Sequence, residues 1–473
     1  MTGITLGNYS GVTTILVNPA MMTNTHDYLS VNLISGDLFV QNNFAYIPAG
    51  DYSLWDAIKV NPLPEYGEDN NNFLYYDNQN LKNVVVNLRL MGPSAMYQWG
   101  DHAFGFSTGL RVFTTGNQLP WEMPVFGYES LKYDDLHNIK FDDYNIDYQA
   151  NVWGEVGLSY AYNIIKYFDQ QLTLGISVKY LLGYSGGYTD VKNVEYIVQN
   201  DSVINVKNLD AELGFALPMD YNTSDFPDSG PTIKGGGIGL DIGAVYIKRR
   251  FVDNKRWRRP CEQRFEEYKY RIGVSILDIG RIKYKNNAQL HSYDNVNVLW
   301  ENYDTINFSN VNQLMGDISD VFYGDPDASL KANSIKIGLP TALSVQADVY
   351  IMKNLFLGGF WIHPIRLNAH TLRRPAELSL IPRIETRSIE FSLPVSLYEY
   401  KDIRLGASLR IYFLTIGTEK LGTWIGTSNL DGMDLYFSLK FNLRKGSCKP
   451  ITYNKCYNNE YGYSDKQKRG FKK

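Results

Sequence analysis

The stretch "RLMGPSAMYQWGDHAFGFSTGLRVF", residues 89–113, sets apolar side chains on every second position across a short polar turn, Gly100-Asp101-His102. In its second half Phe104, Phe106, Thr108, Leu110 and Val112 share one face, while Gly105, Ser107, Gly109 and Arg111 share the other. Period two is the repeat of a β-strand, so a segment like this becomes a hairpin with one apolar and one small or polar face. The pattern recurs. Val156, Leu158, Tyr160 and Tyr162 alternate with Glu155, Gly157, Ser159 and Ala161, and after a turn Leu172, Leu174, Ile176, Val178 and Tyr180 alternate with Thr173, Gly175, Ser177 and Lys179. Further runs begin near Gly235, Tyr268, Lys336, Leu355, Glu377, Asp402 and Met433, with an early one over 27–47.

The connections alternate too. Short turns are expected near 100–102, 166–169, 352–354 and 400–402, and a medium one over 250–265, with long polar segments at 48–80, 114–147, 186–234, 285–334 and 419–431 between them. Long strands, short turns on one side and long loops on the other define an outer-membrane barrel whose apolar face meets lipid and whose other face lines the lumen. Tyr97, Trp99, Tyr160, Tyr162, Tyr350, Trp361, Tyr398 and Tyr400 fall near strand ends, where interfacial girdles sit. A soluble sandwich or propeller also alternates, but rarely in strands this long with loops so one-sided. The expected fold is therefore all-β, a transmembrane antiparallel β-barrel of 12–14 strands in the bacterial outer membrane. Twelve strands are distinct, and two more are expected within 186–234 or 377–399.

Composition narrows the function. The 473 residues include 36 Tyr and 40 Gly, charged residues make up 20%, and the net charge is −4, which excludes a nucleic-acid binder. No apolar run reaches the length of a membrane-spanning helix. The opening Met1-Thr2-Gly3 lacks a basic and apolar leader, so any export signal is expected to have been removed. No H-E-x-x-H, G-x-S-x-G or P-loop occurs, the six histidines are dispersed, and "GGGIG" at 235–239 opens a strand; the expectation is a non-enzyme. No cofactor is expected. The acidic loop stretches "DDLHNIKFDDYNID" (134–147) and "GDISDVFYGDPDAS" (316–329) carry oxygens of the kind Ca²⁺ takes, yet neither matches an EF-hand.

Strand parity assigns Arg89, Arg111, Glu155, Lys179, Asp241, Arg271, Lys336, Asp348, Glu390, Arg404, Arg410 and Lys440 to the lumen, where opposite charges are expected to pair. Residues 1–25 are expected to form a hatch in that lumen, held by groups such as Arg111 or Lys179, with the barrel over 26–443 and a basic periplasmic tail over 444–473. At Gly92-Pro93 the apolar parity flips from even (Val84, Val86, Leu88, Leu90) to odd (Ala95, Tyr97, Trp99), which requires an inserted residue, a β-bulge. Proline also removes a ladder hydrogen bond there, so Gly92 and Pro93 are the candidate lateral gap in the wall. The turn "KRRFVDNKRWRRPCEQR" (248–264) is basic, and Arg249, Arg250, Arg256, Trp257, Arg258 and Arg259 are candidates for contact with a periplasmic partner protein or with lipid headgroups. Cys261, Cys448 and Cys456 all fall on the periplasmic side, where disulfides form.

"GVTTILVNPA" ahead of the first strand resembles the start of FadL-like outer-membrane barrels, whose hatch carries an Asn-Pro-Ala triplet; the matching positions are Asn18, Pro19 and Ala20. "MGPSAMYQWGDHAFGFSTGLRV", "YRIGVSILDIGRIKY", "LPTALSVQADVYIMKN" and "IRLGASLRIYFLTIG" more closely resemble an uncharacterised group of Bacteroidota barrels related to FadL and to the PorV and PorP/SprF proteins of type IX secretion. The resemblance implies either an accessory subunit of a secretion assembly, with a plugged lumen and a protein partner, or a transporter of a hydrophobic small molecule with lateral exit near Gly92-Pro93.

Overall fold

The computed structural model describes residues 2–443, apart from 26, 60–73, 77, 130, 168, 251–267 and 304–308. The basic tail, the three cysteines, and Arg256, Trp257, Arg258 and Arg259 lie outside the described residues.

Fourteen antiparallel strands close on themselves. They are β1 (Leu29–Asn42), β2 (Lys82–Met91, continued by Ser94–Trp99), β3 (His102–Leu119), β4 (Lys140–Lys166), β5 (Gln170–Asn200), β6 (Gly235–Arg249) and β7 (Tyr268–Tyr284). The second half holds β8 (Ile335–Gly338, continued by Ala342–Met352), β9 (Leu355–Pro364), β10 (Glu377–Glu385), β11 (Ile389–Ser392, continued by Val395–Tyr398), β12 (Asp402–Leu405, continued by Ala407–Ile411), β13 (Leu414–Thr418) and β14 (Gly432–Leu443). β1 pairs with β14 from Leu29↔Leu443 to Gln41↔Gly432, which removes every free edge.

The two additional strands come from splitting runs that read as one. A turn at 386–388, inside the expected 377–399 window, separates β10 from β11, and another at 412–413, outside both expected windows, separates β12 from β13, while 186–234 adds no strand to the barrel wall. The 399–401 turn consequently lies on the long-loop rim and not with the short turns. The long loops are also more structured than polarity suggests: β4 and β5 rise beyond the barrel, and the upper half of β5 pairs with a further strand, Val203–Ala216.

Side-chain burial follows strand parity. Leu158, Leu174, Val178, Ile238, Ile272 and Leu380 are exposed on the outside, whereas Arg111, Asp241, Asp348 and Ser438 are buried inside. Exposed Tyr97, Trp99, Tyr160, Tyr162 and Tyr167 ring the short-turn rim, and the Trp361 indole N–H donates to the Tyr400 hydroxyl (2.8 Å) at the opposite rim. Tyr398 differs from its expected girdle position. It is buried in the lumen under the Arg404 guanidinium, 3.5 Å from its ring centroid.

Candidate functional site

The N-terminal segment fills the lumen. A helical turn (Thr2–Thr5) precedes two 3₁₀ turns, Gly11–Leu16 and Pro19–Asn24, and Leu6, Val12, Ile15, Ala20, Met21 and Met22 are all buried. Asn18 caps the second turn by accepting from the Ala20 N–H (2.9 Å), with Pro19 in the first helical position. Its amide reaches the wall, donating to Gln346 Oε1 (2.9 Å) and to the Ala244 and Val274 carbonyls (3.2 and 3.3 Å). This close approach needs glycine. A Cβ on Gly243 would lie 2.1 Å from Asn18 Oδ1, and one on Gly175 would lie 2.3 Å from the Ala20 nitrogen. The Asn-Pro-Ala triplet thus anchors the hatch to β5, β6 and β7.

Arg111 and Lys179, the expected hatch contacts, do not hold it. Arg271 donates to the Leu6 carbonyl (2.7 Å), Ser275 to Val17 (2.6 Å), Lys440 to Ser10 (2.5 Å) and Asn442 to Tyr9 (3.0 Å), while Glu385 accepts from the Asn8 N–H (2.9 Å). Arg111 and Lys179 are committed elsewhere. Asp278 lies 2.9 Å from Arg111, 2.8 Å from Lys179 and 3.7 Å from Arg89, and Lys179 also meets Asp241 at 2.7 Å. A second network joins Asp348 to Arg271 (2.9 Å) and Arg383 (2.5 Å). The lumen charges therefore neutralise one another across the barrel, as burial demands.

Parity misplaces two of these groups. Lys336 is exposed on the outer face, because Ile335 and Ile337 take the inward positions. Asp278 falls on the outward parity, but a register shift opposite Leu240/Ile242 turns both Leu277 and Asp278 inward. The interruption "SILDIG" is the signal for that bulge, and it is weaker than Gly-Pro.

Above the hatch lies a cavity of about 90 Å³ floored by Thr5, Leu16 and Val17. Arg89, Arg111 and Arg374 line it together with Asp37, Glu419 and Asp434. Residues 365–376, between β9 and β10, fold inward as a strap. Arg373 bonds Glu399 (2.5 Å), Arg366 bonds Asp147 (3.1 Å), and His370 meets Glu212 (3.1 Å) while stacking on Tyr188 with centroids 3.8 Å apart.

The Gly92-Pro93 pair inserts one residue in β2 relative to β3: Met91 pairs with Gly109, but Ala95 pairs with Phe106. β1 carries a companion insertion that sequence reading missed. Asn32 pairs with Lys440 and Ile34 with Leu439, so Leu33 and Ile34 face outward in succession. The two irregularities are adjacent, since Ser35 pairs with Met91 and Asn32 with Ser94. No open gap results. Asn32 donates to the Met91 and Gly92 carbonyls (3.2 and 3.1 Å), Ser94 Oγ donates to the Gly92 carbonyl (2.9 Å), and Thr108 Oγ1 donates to the Pro93 carbonyl (3.0 Å). Three side chains thereby replace the ladder bonds the bulge removes, and the wall stays closed. Directly inside it, hatch residues Val12, Ile15 and Met22 pack with Met91 and Met96 in one apolar cluster.

Of the predicted docking residues, Arg249 donates to Gln171 Oε1 (2.6 Å) and Arg250 lies 4.4 Å over the Tyr350 ring. Among the described residues one cluster has metal-ligand geometry, Asp134, His137 and Asp201, and the acidic 316–329 stretch is instead largely the end of a helix, Val311–Tyr323, and its cap.

A closed 14-strand barrel with a lipid-facing apolar belt, aromatic rims and a lumen hatch is a bacterial outer-membrane β-barrel. The chain belongs to a family described as "Family of unknown function (DUF5723)", whose model matches residues 19–419. No curated protein matches the sequence. Among solved structures, the TodX deltaS2S3 mutant monoaromatic hydrocarbon channel is 8% identical with a TM-score of 0.44, covering 92% of this chain and 95% of that one. The P. putida toluene transporter TodX (8% identical, TM-score 0.38, coverage 92% and 95%) and a Pseudomonas aeruginosa FadL homologue (9%, 0.23, coverage 93% and 96%) are similar over comparable lengths. At these identities and scores the likeness adds nothing to what the barrel geometry itself displays.

Proposed function

We propose that the protein passes a hydrophobic small molecule through its barrel and releases it sideways into the membrane at the paired bulges of β1 and β2. The observation that carries this reading is the apolar cluster of Val12, Ile15 and Met22 against Met91 and Met96, immediately behind the bulge. Withdrawal of the hatch there bares an apolar chamber next to the wall positions whose ladder bonds are replaced by side chains. Here Asn32, Ser94 and Thr108 side chains hold the wall where the regular ladder is interrupted, so opening it exchanges side-chain bonds rather than an unbroken strand pairing. The paired charges higher in the lumen restrict the apolar path to this lower chamber.

The reading as an accessory subunit of a secretion assembly has less support. The lumen charges satisfy one another without a partner protein, and Arg249 and Arg250 make contacts within the barrel.

Locking the hatch tests the proposal. Ile15 Cδ1 lies 2.7 Å from where a Gly105 Cβ would stand, so Ile15→Cys with Gly105→Cys sets a hatch cysteine beside a wall cysteine. In cells supplied with labelled toluene or oleate, uptake should fall on oxidation and recover on reduction. Equal uptake in the oxidised and reduced states, with the cross-link verified by mapping, defeats the proposal.

A further inference from the structure

The outward stripe of β7 changes chemistry abruptly. From the short-turn rim upward it reads Tyr270, Ile272, Val274, Ile276 and, after the bulge, Ile279, and then the exposed Arg281 and Lys283, with exposed Lys285 just past the strand's end. From Tyr270 to Ile279 the strand runs about 30 Å, or about 23 Å along the barrel axis at the usual tilt, which matches the apolar height of an outer membrane. The cations therefore begin where the outer leaflet's headgroups begin.

The neighbouring strand reinforces them. Lys336 of β8, also exposed, sits directly opposite Lys283 in the register, and Arg281 faces the exposed Ile238 of β6. Like charges placed directly opposite on one sheet face destabilise it, so such a pair calls for a counter-charge. Among the described residues none of the four side chains has a hydrogen bond or an ion pair. Lys285 also contributes to the lining of a polar pocket of about 500 Å³, with Asn286, Ser229, Asn222, Asn312 and the carboxylates of Asp220 and Asp228, the latter paired with Lys234. That lining offers amide and hydroxyl groups suited to sugar hydroxyls.

We infer that this face of β7 and β8 is a binding site for a phosphorylated glycolipid of the outer leaflet. The phosphate oxygens meet Arg281, Lys283 and Lys336, the acyl chains lie along Ile238 and Ile279, and the sugar extends past Lys285 into the polar pocket. Phosphate suits a cluster of lysines and an arginine at an interface because each neutralised pair is a charge-assisted contact only partly screened by water.

The test uses the full chain purified in mild detergent, with bis-phosphorylated lipid A, its dephosphorylated form and inorganic phosphate as probes, read by native mass spectrometry and by thermal unfolding. Bis-phosphorylated lipid A should bind and raise the unfolding temperature, while the other two probes leave it unchanged. Lys283→Gln with Lys336→Gln should weaken binding about 30-fold, the loss expected for two interfacial charges. Lys401→Gln, an exposed lysine on the same rim between β11 and β12, should have no effect. Equal binding of the dephosphorylated lipid, an equal shift with inorganic phosphate, or equal loss with Lys401→Gln overturns the site. Should the double variant not insert, the salt dependence of wild-type binding decides: binding that is indifferent to salt between low and high ionic strength overturns the site as well.

Discussion

At the scale of single residues, Asp278 is the keystone of the upper lumen, with Arg89, Arg111 and Lys179 all directed at it. Asp278→Asn leaves three buried cations with Glu155 and Asp241 as their remaining near neighbours. A broken buried network of this kind costs about 3–5 kcal/mol. The expected outcome is a barrel that still inserts but loses its heat-resistant gel mobility at a clearly lower temperature. Outside the membrane, Glu122 in the loop after β3 is buried and receives the Tyr196 hydroxyl (3.2 Å). Burial first, and the neighbouring Asp143 carboxyl second, push its pKa up to about 8. Because the folded value lies above the unfolded one, its contribution to the stability of this loop is complete below the usual carboxylate range and is lost as pH rises toward 8. Hydrogen exchange over Glu122–Glu129, corrected for intrinsic rate, should therefore quicken between pH 5 and 9, and Glu122→Gln should abolish that trend. Lumen residues were legible by parity wherever the strand is regular, as at Arg111 and Asp348. Parity fails where a bulge intervenes, so Asp278 was invisible to it and Lys336 was assigned to the wrong face.

At the scale of elements, the Gly92-Pro93 bulge was legible because proline and glycine announce themselves and the parity flips around them. Its companion at Leu33 was not, because "NLIS" contains neither glycine nor proline and two successive apolar residues read as ordinary strand noise. Replacing Gly92-Pro93 with one Val removes the extra residue from β2 while that of β1 remains. The barrel should still insert and show heat-modifiable mobility, with uptake of the hydrophobic probe reduced several-fold. Undiminished uptake in a correctly inserted variant would place the exit elsewhere. Asn18, Pro19 and Ala20 stood out as a triplet, but their mode of action was not readable, since it depends on Gly175 and Gly243 lying opposite them on distant strands.

At the scale of the whole molecule, the lumen is closed twice, by the hatch below and by the 365–376 strap above. Deleting residues 2–22 removes only the floor. In planar bilayers that variant should show small, flickering conductance, and adding Arg366→Ala and Arg373→Ala should convert it to a larger, steady one. A steady pore from the deletion alone would show that the strap does not seal. The barrel class was readable from alternation and loop asymmetry, and the polar turn Thr386-Arg387-Ser388 falls in a window already expected to hide a strand, yet the strand number was settled only by a second turn, Tyr412-Phe413, too short and apolar to register as a break. The seam between β1 and β14 has a further consequence for how the molecule is made. The residues that fill the interior precede every strand of the wall along the chain, and the strand that completes the cylinder follows the other thirteen, with Leu29 meeting Leu443. The hatch carries buried bonds to both halves of the wall, to Gln346 and Arg271 on one side and to Lys440 on the other. Those two sets of bonds can coexist only once the final strand has brought both halves of the wall together, so seating of the interior and closure of the wall are coupled and neither is complete without the other.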